Sequence, residues 1–134
     1  MIKIKAKQLK EGTAVIGLLR NKDGLKTGTS YRIAKICKAM VAAEECMKPE
    51  YDKLIEEHAK KDDEGKKINE VDAKGKKIPD SFELKDPQAY RDAVRAMEKE
   101  VEVSIDCNKI KISALGDIEI PPVVFEALDW WIQE

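Results

Sequence analysis

The chain has 134 residues, 38% of them charged and only 5% aromatic, with 25 Lys plus Arg against 26 Asp plus Glu. That length suits one domain whose core can be built without disulfide or metal support. A net charge of −1 argues against a protein that coats nucleic acid along its whole surface. Three scattered cysteines, Cys37, Cys46 and Cys107, form no C-x-x-C unit and suit a reducing cytoplasm. The N-terminus carries no signal-peptide pattern, and no apolar run is long enough to span a membrane.

Ile2 and Ile4 alternate with Lys3 and Lys5, which predicts a short strand in preference to a helix start. Over 7–20, Leu9, Val15, Ile16, Leu18 and Leu19 predict a helix, weakened at Gly12 and Gly17 by about 1 kcal/mol each relative to Ala. Asn21-Lys22-Asp23-Gly24 reads as a turn.

The dominant element is a long helix over 29–61, with N-cap candidates among Thr27, Gly28, Thr29 and Ser30. Ile33, Cys37, Met40, Glu44, Met47, Tyr51, Leu54 and His58 follow a spacing of threes and fours, so one seam should be buried. Pro49 is expected to kink this helix rather than end it, because the register continues in phase through Tyr51 and Leu54.

Segment 66–80 holds two Gly-Lys-Lys-Ile units, at 65–68 and 75–78. A β-hairpin, an ordered loop and a mobile charged tip over about 62–80 all remain open here. Asp86-Pro87 opens a further helix, with Asp as N-cap. Tyr90, Val94, Met97 and Val101 give it a stripe. Alternation at 101–105 and 110–112, and again at 118–120, predicts short strands, and Pro121-Pro122 starts a terminal helix. The expected fold is α+β, mainly α. A long antiparallel helical hairpin carries a small β-sheet and a short C-terminal helix within one domain, 1–134.

Chemistry-bearing residues are sparse. His58 is the only histidine, and it reads as a seam or surface residue rather than part of a catalytic set. No zinc or calcium spacing is present, and Asp62, Asp63 and Glu64 read as a solvated helix end. No cofactor is expected. Lys26, Thr29 and Ser30 form a weak candidate anion site at the long helix's start. Lys66, Lys67, Lys74, Lys76 and Lys77 concentrate positive charge on the tip, but carboxylates interleave with them and no aromatic stands among them to stack bases. Three partner-binding candidates stand out. Glu44 sits on the seam, where it either pairs with Arg91 or Arg95, fixes register at an interface, or turns outward with Ala43 inward. Trp130 and Trp131 point different ways on a helix, so one caps the core and the other is a candidate exposed anchor.

Tyr31-Arg32-Ile33-Ala34-Lys35-Ile36-Cys37-Lys38, the long mixed-charge helix and Lys60-Lys61-Asp62-Asp63-Glu64-Gly65-Lys66 together resemble a group of small proteins of tailed phages and prophages. That group begins with A-Y-x-I/L-A-K-I/L-x-K and ends its long helix in a K-Y-G-x-K-D-E-x-G-like tip. A short helix running into an E-V-E-V strand follows, then an L-x-x-I/L-x-I/L-P/S-P step and a C-terminal helix. Here those parts fall at 97–104, 115–122 and 123–132. His58-Ala59 stands where Tyr-Gly is usual, and Pro49 interrupts the helix. The resemblance implies a phage-encoded accessory or assembly protein in the bacterial cytoplasm, with no activity to carry onto residues. The leading expectation is a non-enzymatic protein that binds a phage or host protein, or its own copies as an oligomer. Sequestration of a host signalling nucleotide as an anti-defence function and nucleic-acid binding are the alternatives.

Overall fold

The structure is a computed structural model that describes residues 1–134. In chain order the elements are β1 (Ile2–Lys5), α1 (Ala6–Arg20), α2 (Thr27–His58), β2 (Asn69–Val71), β3 (Lys77–Phe82), α3 (Pro87–Glu100), β4 (Glu102–Ile105), β5 (Ile110–Lys111), a 3₁₀ turn (Ile112–Leu115), α4 (Pro122–Ala127) and β6 (Ile132–Gln133). The chain is α+β and mainly helical, and no helix is long and apolar enough to cross a membrane. Two compact units are distinguishable: Met1–Met47 with Glu98–Glu134, and Lys48–Met97. Both α2 and α3 run through the division.

In the first unit, β1 pairs antiparallel with β4, placing Ile2 opposite Ile105 and Ile4 opposite Val103. The period of two turns Ile4, Val103 and Ile105 inward and the lysines outward. The amide of Lys5 donates to Gln8 Oε1 at 2.9 Å, satisfying one donor at the start of α1. α1 then buries Leu9, Gly12, Val15 and Leu19.

Within this unit α2 buries Thr29, Ile33, Ile36, Met40, Ala43 and Met47. The expected seam shares Ile33, Met40 and Met47 but placed Cys37 and Glu44 on the stripe, one residue too late. Both stripes advance 3.5 residues per turn, so spacing cannot choose between them. Burial chemistry does, because Ile36 and Ala43 enter the core without desolvating a carboxylate. The helix continues through Pro49 to His58, as the in-phase register required.

The C-terminal segment departs from expectation. Residues 118–120 form no strand, and the terminal helix ends at Ala127. The chain then turns back, so that β6 pairs parallel with β5, Ile110 opposite Ile132. Val124, Leu128, Trp131 and Ile132 enter the core from this segment.

The second unit is organised by two copies of one turn. In Asp62-Asp63-Glu64-Gly65-Lys66 and in Asp72-Ala73-Lys74-Gly75-Lys76, each aspartate Oδ1 accepts the amides two and four residues on, all at 2.9 Å. Gly65 and Gly75 both take φ of +80°, a left-handed conformation that glycine adopts without steric penalty. The two Gly-Lys-Lys-Ile units are thus the trailing halves of two equivalent tight turns. Asp62 is a turn residue rather than a solvated helix end. Segment 62–80 adopts the hairpin alternative, with β2 antiparallel to β3.

Three backbone stretches meet in a closed triad. Lys60 N donates to Glu83 O at 2.8 Å, Glu83 N to Ile68 O at 2.8 Å, and Ile68 N to Lys60 O at 2.9 Å. The end of α2 also meets the start of α3. The His58 and Tyr90 rings are 5.8 Å apart at 63°, and Lys85 N donates to His58 O at 2.9 Å. Asp86 caps α3, its Oδ1 accepting the amides of Gln88 and Ala89 at 3.0 and 3.2 Å.

Candidate functional site

Of the candidate anion residues Lys26, Thr29 and Ser30, only Thr29 is buried. Thr29 is 6% exposed, and its hydroxyl donates to the Ala114 carbonyl at 2.7 Å. It therefore ties α2 to the 3₁₀ turn, while Lys26 and Ser30 lie exposed. The Ser30 amide, a donor that an anion would need, is already bonded to the Lys26 carbonyl at 2.9 Å.

Glu44 is exposed and Ala43 is inward, the last of the three arrangements considered for it. Neither tryptophan is an exposed anchor. Trp131 is buried, with its indole Nε1 donating to Asn108 O at 3.1 Å. Trp130 is half-buried, and its Nε1 donates to Ala127 O at 3.0 Å. A methyl group on Gly12 would come within 3.1 Å of Leu128 and Met40 and 3.3 Å of Trp130. Gly12 is thus small because three side chains close over it.

The tip lysines are partly committed. Lys61 and Lys67 both reach Glu56, at 2.8 and 3.4 Å. Lys67 also stands 4.8 Å over the Phe82 ring, and Lys66 pairs with Glu64 at 3.6 Å. The Glu56 carboxyl is held below its ordinary value, chiefly by the hydrogen bond from Lys61. These pairs fasten the first turn to the end of α2. Burial pushes the Cys37 thiol up, with Arg20 opposing it. No group of three or more His, Cys, Asp or Glu is placed to hold a metal ion.

The feature that spacing did not reveal is how thinly Lys48–Met97 is covered. Ala59 is its single buried residue. Its larger apolar side chains stay half-buried: Tyr51, Leu54 and Ile55 from α2, Phe82 and Leu84, and Tyr90, Val94 and Met97 from α3. On the hairpin, Val71 and Ile78 are 57% and 37% exposed. Beside them lies an open recess of about 460 Å³, lined by Lys60, Glu70, Val71, Glu83, Leu84 and Pro87. Its walls combine apolar surface with two carboxylates and one amine.

No protein-family model, curated protein or solved structure matches this chain. The likeness to phage proteins therefore stands on the residues quoted for it alone.

Proposed function

We propose that this chain is a non-enzymatic accessory protein of the tailed-phage or prophage type, working in the bacterial cytoplasm by binding a phage or host protein. The binding assists assembly or modulates a host factor. The observation that carries this reading is the thin cover of Lys48–Met97. Its apolar side chains are gathered on folded elements yet only Ala59 among them is buried. Covering such side chains contributes on the order of 1 kcal/mol apiece from apolar area alone. The hairpin turns and the Asp86 cap hold this surface in place before a partner arrives, which reduces the ordering cost of binding.

A photo-crosslinking residue in place of Val71 tests the proposal in bacterial cells producing the cognate phage proteins. One discrete protein adduct at this position, absent when the same probe replaces exposed Glu126 in the other unit, is expected. Indiscriminate adducts from both positions, or none from Val71, would overturn the reading.

A further inference from the structure

A second cleft lies within the first unit, and the proposed protein binding does not use it. Tyr31, Arg32 and Lys35 stand on the first turns of α2, and residues 106–109 form the loop between β4 and β5. With Met1 they line a cleft of about 370 Å³, within the size range of small-ligand sites.

The charge in this cleft is out of balance. Among its side chains, Arg32, Lys35 and Lys109 bring three cations against one carboxylate, Asp106. None of these four takes part in any of the chain's ion pairs. In a chain with 25 basic and 26 acidic residues, such a gathering is a local departure. Like charges in a concave site repel until an anion joins them.

Tyr31 adds a second element. In a chain poor in aromatics Tyr31 is 64% exposed, and the Lys35 ammonium stands over one face of its ring, 5.8 Å from the centroid. An exposed ring beside cations offers a planar group a stacking face. The floor is already built. Cys107 N donates to Ile105 O at 2.9 Å, and Asn108 O accepts the indole of buried Trp131 at 3.1 Å. The loop that carries Lys109 is thereby pinned to the core.

We infer that this cleft binds a nucleotide, with the base stacked on Tyr31 and the phosphates held among Arg32, Lys35 and Lys109. The inference stands independently of the protein-binding reading, since the two surfaces belong to different units.

Calorimetric titration of the full chain tests it, using ATP, inorganic phosphate and a short single-stranded oligonucleotide as probes. Saturable ATP binding is expected, with phosphate at least about tenfold weaker because it brings no ring. Arg32→Glu with Lys109→Glu should abolish binding. Tyr31→Ala should weaken it by about tenfold while Tyr31→Phe keeps it. These positions are solvent-facing, and unchanged melting temperatures would show that the variants fold. Four results would overturn the inference: no saturation by about 1 mM ATP, equal affinity for phosphate and ATP, indifference to the charge reversals, or a preference for the oligonucleotide with steep salt dependence.

Discussion

Gly12 and Gly17 are indistinguishable in the sequence, both lying inside one amphipathic helix, yet the fold treats them oppositely. Side chains of Leu128, Met40 and Trp130 close over Gly12, whereas nothing lies within 4 Å of a methyl group on Gly17. Gly17→Ala should therefore stabilise by about 0.5–1 kcal/mol through helix propensity. Gly12→Val should cost about 1–3 kcal/mol through overpacking. Chemical denaturation of the two variants checks this, and a stabilising Gly12→Val would contradict the packing. The Thr29 hydroxyl carries the same lesson. A polar residue at a helix start reads equally as an anion ligand or as an internal tie. Only the fold shows that residue 114 stands opposite it, because an 85-residue separation leaves no mark on local periodicity.

At the scale of elements, the helices and the strands β1 and β4 were legible because each has a period of its own, but nothing local showed that the two strands pair. Asp86-Pro87 at the start of α3 is a stop-and-start signal, and the alternation at Ile2 and Ile4 is such a period. Where two residues satisfy the same period, as Ile36 and Cys37 or Ala43 and Glu44 do, only burial chemistry decides. β6 was illegible because two residues carry no period at all. The paired turns were half-legible. The Gly-Lys-Lys-Ile units were visible, but the aspartate three residues before each glycine makes the turn. Gly65→Ala and Gly75→Ala should each cost roughly 1–2 kcal/mol, the penalty for a side chain at positive φ. Equal stability of either variant, measured by thermal melting, would show that the turn does not need that conformation.

The first turn is also fastened electrostatically. Lys61 and Lys67 favour the charged form of Glu56, holding its carboxyl below the ordinary 4.5. In the unfolded chain that carboxyl returns to its ordinary value. Its contribution to stability is therefore complete above 4.5 and is lost as the pH falls through the lower folded value. Melting temperatures of the wild type and Glu56→Gln should differ at neutral pH and converge in acid. A gap that widens on acidification would contradict the assigned pairing.

For the molecule as a whole, the balanced charge and the poverty of aromatics bound the fold class but leave the function unwritten. Recognition surfaces are assembled from segments far apart in sequence. Val71 and Leu84 come to one recess only because the closed triad at Lys60, Ile68 and Glu83 brings their stretches together. Likewise, the cleft at Tyr31 and Lys109 needs both ends of the first unit. The candidate residues read from the sequence were local choices, and the fold consumed Thr29 and Trp131 in its own support.

On the proposed function, the thinly covered surface of Lys48–Met97 is where a protein partner binds. Native mass spectrometry of the chain purified from bacteria making the cognate phage proteins tests it most directly, alongside a Val71→Lys, Ile78→Lys variant. Both substituted positions are exposed, so the variant should fold as the wild type does. A defined protein complex is expected for the wild type, and a free chain of unchanged melting temperature for the variant. A wild type that stays free of any protein partner, or a complex that survives both lysines, would contradict it.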